Sequence, residues 1–208
     1  MALNIKNIAL IGGGASAIAG GSAGTYYLLQ DKTIEHKLIR EGEKIIEKDN
    51  EYLVAFKEHK SDSNFINLIK ENDNSISATG DVNKGKAALK IWCESNLKLD
   101  LSKENIEKSF EKVKKYCIKP PMTIGARIEK LGKKWVDNWK NKLSALKQPR
   151  IDEGLATDLG KQDSNIIAND LRDWCKGNSE KDLSDQTTDA IWTKVERRCI
   201  EPKPVSQG

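Results

Sequence analysis

Four cysteines are the residues whose type and spacing could do chemistry. Cys93 and Cys117 are 24 positions apart (117 minus 93), and so are Cys175 and Cys199 (199 minus 175). A thiol can form a disulfide, ligate zinc or act as a redox nucleophile, and each use demands its own spacing. Redox catalysis and zinc sites favour C-x-x-C pairs, and the chain has none. Of the three pairings open to four cysteines, only Cys93 with Cys117 and Cys175 with Cys199 explains the equal separations. Three outcomes stay open at this point: two disulfides, as expected in an oxidising compartment; four buried thiols used as small apolar side chains; or a zinc site, for which His36 and His59 would be the only imidazoles.

A second stretch points to cofactor chemistry. NIALIGGGASA is an apolar run followed by Gly12, Gly14 and Ala17 at G-x-G-x-x-A spacing, and it resembles the opening of flavin- and nicotinamide-binding Rossmann domains. The resemblance implies an oxidoreductase whose glycines let a pyrophosphate approach a helix N-terminus. Such a domain needs an acidic residue about twenty positions on, closing a second parallel strand. Glu35 has that distance, yet TIEHKLIREGEKIIEK places Ile34, Leu38 and Ile45 at helical intervals. The oxidoreductase is therefore the alternative, and no enzyme, cofactor or metal is the expectation. His36 and His59 are expected as exposed helix residues without a nucleophile to serve.

The elements that must position these residues divide sharply. Before Asp31 there is no acidic side chain and one basic one, Lys6, whereas charged residues make up 32% of the whole chain at a formal net charge of +4. That near balance excludes a dedicated nucleic-acid footprint. Residues 1–32 are expected to hold a transmembrane helix, because the run from Ile8 to Leu29 could cross a bilayer of about 30 Å. Gly12, Ser16, Gly20 and Gly24 would form a small-residue stripe suited to helix-mediated self-association. A cleavable signal peptide ending near Ala23 is the nearest variant.

After the apolar leader the chain repeats. At an offset of 82, Leu89, Trp92, Cys93 and Asp100-Leu101-Ser102 pair with Leu171, Trp174, Cys175 and Asp182-Leu183-Ser184, and Cys117-Ile118 pairs with Cys199-Ile200. So regular a match is a tandem duplication. Farther upstream only Tyr52 and Phe56 align, with Trp135 and Trp139 at an offset of 83. Ser102 and Ser184 are expected to cap the helices that follow them, with Leu101 and Ile106 as a hydrophobic staple. The first of these helices should span 103 to 117. Helices are also expected over 33–58 and 123–147, the latter with Trp135 and Trp139 packed on one core-facing side. For Cys117 to return to Cys93, residues 94–101 should run back extended. The expected fold class is all-α: an N-terminal transmembrane helix (1–32), then two small helical-bundle repeats (33–121 and 122–203), each with an internal disulfide, and a disordered tail (204–208).

The glycine-rich start and the frame running from W-C through D-L-S to C-I-x-P together resemble the large paralogous sets of uncharacterised membrane-anchored surface proteins of haemotropic mycoplasmas. The resemblance covers most of the chain. It implies a single-pass protein of the cell membrane with an extracellular body, a non-enzymatic interaction or antigenic role, and host surface molecules or antibodies as partners. An intracellular helical scaffold with free thiols is the remaining alternative. Lys32, Lys37 and Arg40 after the span outnumber Lys6 before it, which favours a cytoplasmic body; the paired cysteines favour the exterior, and the expectation follows them.

Overall fold

A computed structural model describes residues 32–148, Asp152 and residues 154–202. The expected span with Gly12, Ser16, Gly20 and Gly24, the Gly12-Gly14-Ala17 motif and the expected disordered tail lie outside the described residues. Among the described residues the chain is all-helical, and no helix is long and apolar enough to cross a membrane.

In the first half, α1 spans Ile34–Arg40, α2 Asp49–His59, α3 Ser63–Ile69 and α4 Val82–Leu97. One continuous helix, α5, follows in three segments: Lys103–Asn105, a π-helical Ile106–Phe110 and Glu111–Tyr116. In the second half, α6 spans Ile124–Lys130, α7 Trp139–Leu146, α8 Leu155–Leu159, α9 Ala168–Ser179 and α10 Thr188–Cys199.

The expected helices over 33–58 and 123–147 are each broken in two. Gly42 and Gly132 take positive φ, 88° and 61°. The amide of Gly42 donates to Ile39 O and that of Glu43 to Leu38 O, and Gly132 and Lys133 donate likewise to Glu129 O and Ile128 O. This pair of bonds is the Schellman motif, which a glycine C-terminal to a helix closes at no steric cost. The chain then runs extended to α2 and to α7, so Trp135 lies outside any helix.

Isolated antiparallel bridges tie these extended segments to the cysteine-bearing half of each repeat: Thr33 with Asp100, Ile45 with Ile118, Thr123 with Asp182, Trp135 with Ile200. Corresponding partners differ by 90 on one side (123 minus 33, 135 minus 45) and by 82 on the other (182 minus 100, 200 minus 118). The duplication thus reaches back to Thr33, and the alignment of Tyr52 and Phe56 with Trp135 and Trp139 is replaced by one seven residues away. The offset changes because the stretch from the start of α2 to the end of α4 (49–97) is eight residues longer than the stretch from the start of α7 to the end of α9 (139–179). An eight-residue slip hides similarity from any gapless self-alignment.

Two apolar cores follow. Ile34, Leu38, Phe56, Phe65, Leu89 and Val113 anchor the first, all fully buried; Ile124, Ile128, Leu171 and Val195 anchor the second, also fully buried. Val54 of α2 packs into the second core. Beside it, Lys57 donates from Nζ to Leu183 O at 3.2 Å, Asp185 O at 3.3 Å and Asp189 Oδ1 at 3.1 Å. Its side chain is only 8% exposed, so the first repeat uses a mostly desolvated ammonium to hold the turn that leads into α10.

Candidate functional site: a cleft formed in both repeats

The cysteines meet as the spacing predicts. Cys93 and Cys117 have Cα atoms 5.6 Å apart and sulfurs 2.06 Å apart; for Cys175 and Cys199 the figures are 5.7 and 2.02 Å. All four are fully buried. The route differs from expectation, however. Cys93 does not end its helix: α4 continues a further turn to Leu97, and Asn96 folds its amide onto Trp92 O at 2.9 Å. Asn178 does the same to Trp174 O at 2.7 Å. The reversal is therefore confined to a few residues after each of these helices. Trp92 is buried at the first core, and Trp174 is partly buried at the second.

Ser102 caps α5, accepting from Asn105 N at 3.4 Å. Ser184 keeps only the preceding turn, in which Asp182 Oδ1 accepts its amide at 2.8 Å, just as Asp100 accepts that of Ser102 at 3.0 Å. It does not cap a helix, because Asp185 forms a second turn by accepting both Thr187 N and Thr187 Oγ1, and α10 starts at Thr188. His59 also departs from expectation. It is not fully exposed but packs on Tyr116 and Phe65, with centroids at 5.0 and 5.6 Å, and burial lowers its pKa. His36 is exposed.

Against this shared frame each repeat opens a cleft in the same place. In the first, Glu35, Ile39, Ile45, Ile46, Glu94, Leu97 and Lys98 line a cavity of about 630 Å³. In the second, the corresponding Gly125, Glu129, Trp135, Val136, Lys176, Ser179 and Glu180 line one of about 390 Å³. The cleft lies between α1 and the end of α4, or between α6 and the end of α9, with the extended segment as its floor.

The chemistry of the two clefts has diverged. The first also takes in Glu43, Glu47 and Glu51 and is rich in carboxylates. Glu51 is 3% exposed, and it accepts from Glu47 N at 3.0 Å, Lys48 N at 3.1 Å and Lys119 Nζ at 2.6 Å. Burial pushes its carboxyl up, but Lys119 and the two amides outweigh burial and hold it below the usual range. Burial, reinforced by Glu94 and Asp49, pushes the neighbouring Tyr52 up to about 12, so its hydroxyl stays protonated and donates to Ile46 O at 3.3 Å. In the second repeat, Glu201 stands where Lys119 does and itself accepts the Asp137 amide at 2.9 Å. Glu94 becomes Lys176, and Lys98 becomes Glu180. Signs are exchanged at corresponding positions of the two repeats.

The cysteines, Trp92 and Ser102 were legible from their spacing. The clefts were not: their linings come from two segments that recur at different offsets. Among the described residues no group of three His, Cys, Asp or Glu side chains could hold a metal ion. No protein-family model, curated protein or solved structure matches the chain.

Proposed function

We propose that the chain is a membrane-tethered, surface-exposed binding protein without enzymatic activity, whose two helical repeats each offer a cleft to molecules outside the cell. The observation that carries this reading is the pair of clefts: one frame of helices, bridges and a cysteine pair, made twice, with the side chains of its opening changed in charge and in aromatic content. Selection for catalysis would hold a reactive group in place, whereas selection for recognition changes the lining. The buried cysteine pairs at bonding distance support an oxidising exterior. The tether rests on the apolar run from Ile8 to Leu29. For the oxidoreductase alternative, a nucleotide cradle needs parallel strands beyond the first, and the described residues pair only through isolated bridges.

Protease shaving of intact cells tests the placement. Removal of the body by external protease, with lipid-associated N-terminal peptides left behind, is the expected result. A chain that stays uncut outside, with thiols that react only after lysis, defeats it.

A further inference from the structure

We propose that the cleft of the second repeat is a binding site for a neutral saccharide. The first repeat serves as an internal control. It builds the same extended segment, bridge and following helix with Ile45 and Asp49 where the second has Trp135 and Trp139. The module therefore folds without tryptophan at either position. Both indoles are partly exposed and both line the cleft. Both also pack partly against the second core, so each offers the cleft only part of an indole, and two partly open indoles beside polar groups suit a sugar ring, whose C–H face meets a surface that is apolar in body and negative over its face.

The charges select against an ion. Glu129, Arg172, Lys176 and Glu180 also line this cleft, two carboxylates and two cations, so the opening has no net charge. A phosphate or sugar acid needs an excess of cations, and a basic peptide needs the excess of carboxylates found in the first repeat. A neutral polyol uses both signs, because each hydroxyl donates to a carboxylate and accepts from an ammonium or guanidinium. Arg172 is oriented by its Nε bond to Asp173 Oδ1 at 3.0 Å, and among the described residues Glu129 and Lys176 make no ion pair. A cleft of about 390 Å³ lies at the small end of ligand sites, which run from about 300 Å³, and suits one or two sugar rings.

The reading concerns what the cleft holds and is independent of where the chain resides, so shaving and binding experiments can fail separately. The full chain, purified in a zwitterionic detergent that carries no sugar, is titrated with lactose, cellobiose and N,N′-diacetylchitobiose, and with glucuronate and a lysine-rich peptide as comparators. Saturation-transfer NMR reads the ligand and does not depend on tryptophan as reporter. Saturable binding of at least one neutral disaccharide at millimolar levels or tighter is expected. Trp139→Asp, which restores the residue of the first repeat, should weaken it by about tenfold or more with helical circular dichroism retained, while Trp139→Phe keeps part of it. No saturation with any of the three sugars overturns the proposal, as does binding that Trp139→Asp leaves unchanged, or equal or tighter binding of the glucuronate or the peptide.

Discussion

Arg198 stands in the second repeat where Tyr116 stands in the first, immediately before the second cysteine, and both side chains pack against the repeat's tryptophan: Tyr116 against Trp92 at 6.3 Å and Arg198 over Trp174 at 4.9 Å. Each also holds an aspartate from the segment in which the repeats differ in length. Tyr116 donates to Asp62 at 3.2 Å; Arg198 donates to both oxygens of Asp152, at 2.5 and 2.6 Å, and to Asp158 at 2.6 Å. Arg198 is fully buried and so is the side chain of Asp152. A charge pair taken out of water is worth little as a pair, but removing one member strands the other. Arg198→Ala should therefore cost about 3–5 kcal/mol, measured by urea unfolding. Tyr116→Phe, which leaves Asp62 partly exposed and still paired with Lys115, should cost much less.

The same aspartates make the second repeat acid-labile. Burial pushes the Asp152 carboxyl up, but Arg198 and then Arg197 outweigh burial and bring it below its ordinary value. Asp158 is likewise pushed up by burial and brought below its ordinary value by Lys194 and Arg198. A carboxyl depressed on folding contributes stability above its unfolded pKa of about 3.9, and the contribution disappears as pH falls through the lower folded value. Urea midpoints should thus hold between neutrality and about pH 5 and fall steeply below about pH 4. Asp152→Asn removes one of the titrating groups. It should lower the midpoint at neutral pH and flatten the acid decline; a decline as steep as that of the wild type would separate acid lability from this pair.

What the sequence made legible was local or exactly periodic. Cys93 with Cys117 and Ser102 as a cap follow from spacing and from one-turn chemistry. Gly42 and Gly132 were available as helix stops, yet Ile34, Leu38 and Ile45 kept a helical interval across the break, and apolar periodicity masked the glycine. The same periodicity puts Trp135 on a helix, whereas it packs against the second core from an extended segment. The bond from Arg198 to Asp152 spans 46 positions and leaves no periodic trace. Nothing in one sequence brings Trp135 to Lys176, because only the fold aligns segments that repeat at offsets of 90 and 82.

The cysteine pairs set a redox prediction. A pair 24 positions apart should stabilise its repeat by roughly 3.5 kcal/mol when bonded, in the chain-entropy account. Protein isolated without reductant, with its thiols blocked, should be lighter than the reduced chain by four hydrogens, two for each pair. Cys117→Ser and Cys199→Ser should each lower stability by a similar amount, and the losses should add if the two cores unfold independently. An unmodified mass that matches four free thiols would place the chain in a reducing compartment and remove the main support for an extracellular body.

Two glycines with opposite surroundings separate backbone strain from steric fit. At Gly42 an added Cβ meets nothing within 4 Å, so Gly42→Ala costs only the left-handed backbone penalty of about 1–2 kcal/mol. Gly85 lies inside α4, where alanine would ordinarily gain about 1 kcal/mol by propensity. There, however, the new Cβ would come within 2.1 Å of Phe56 Cζ, and Phe56 is fully buried and packed on Phe65 with centroids at 6.1 Å. Overpacking of this kind costs about 1–3 kcal/mol and sometimes more, so Gly85→Ala should destabilise the first repeat despite its better helix propensity. A Phe56→Leu background should recover much of the loss in Gly85→Ala and none of it in Gly42→Ala. Equal recovery in both would mean that the close approach of α2 to α4 at Gly85 is not what requires glycine there.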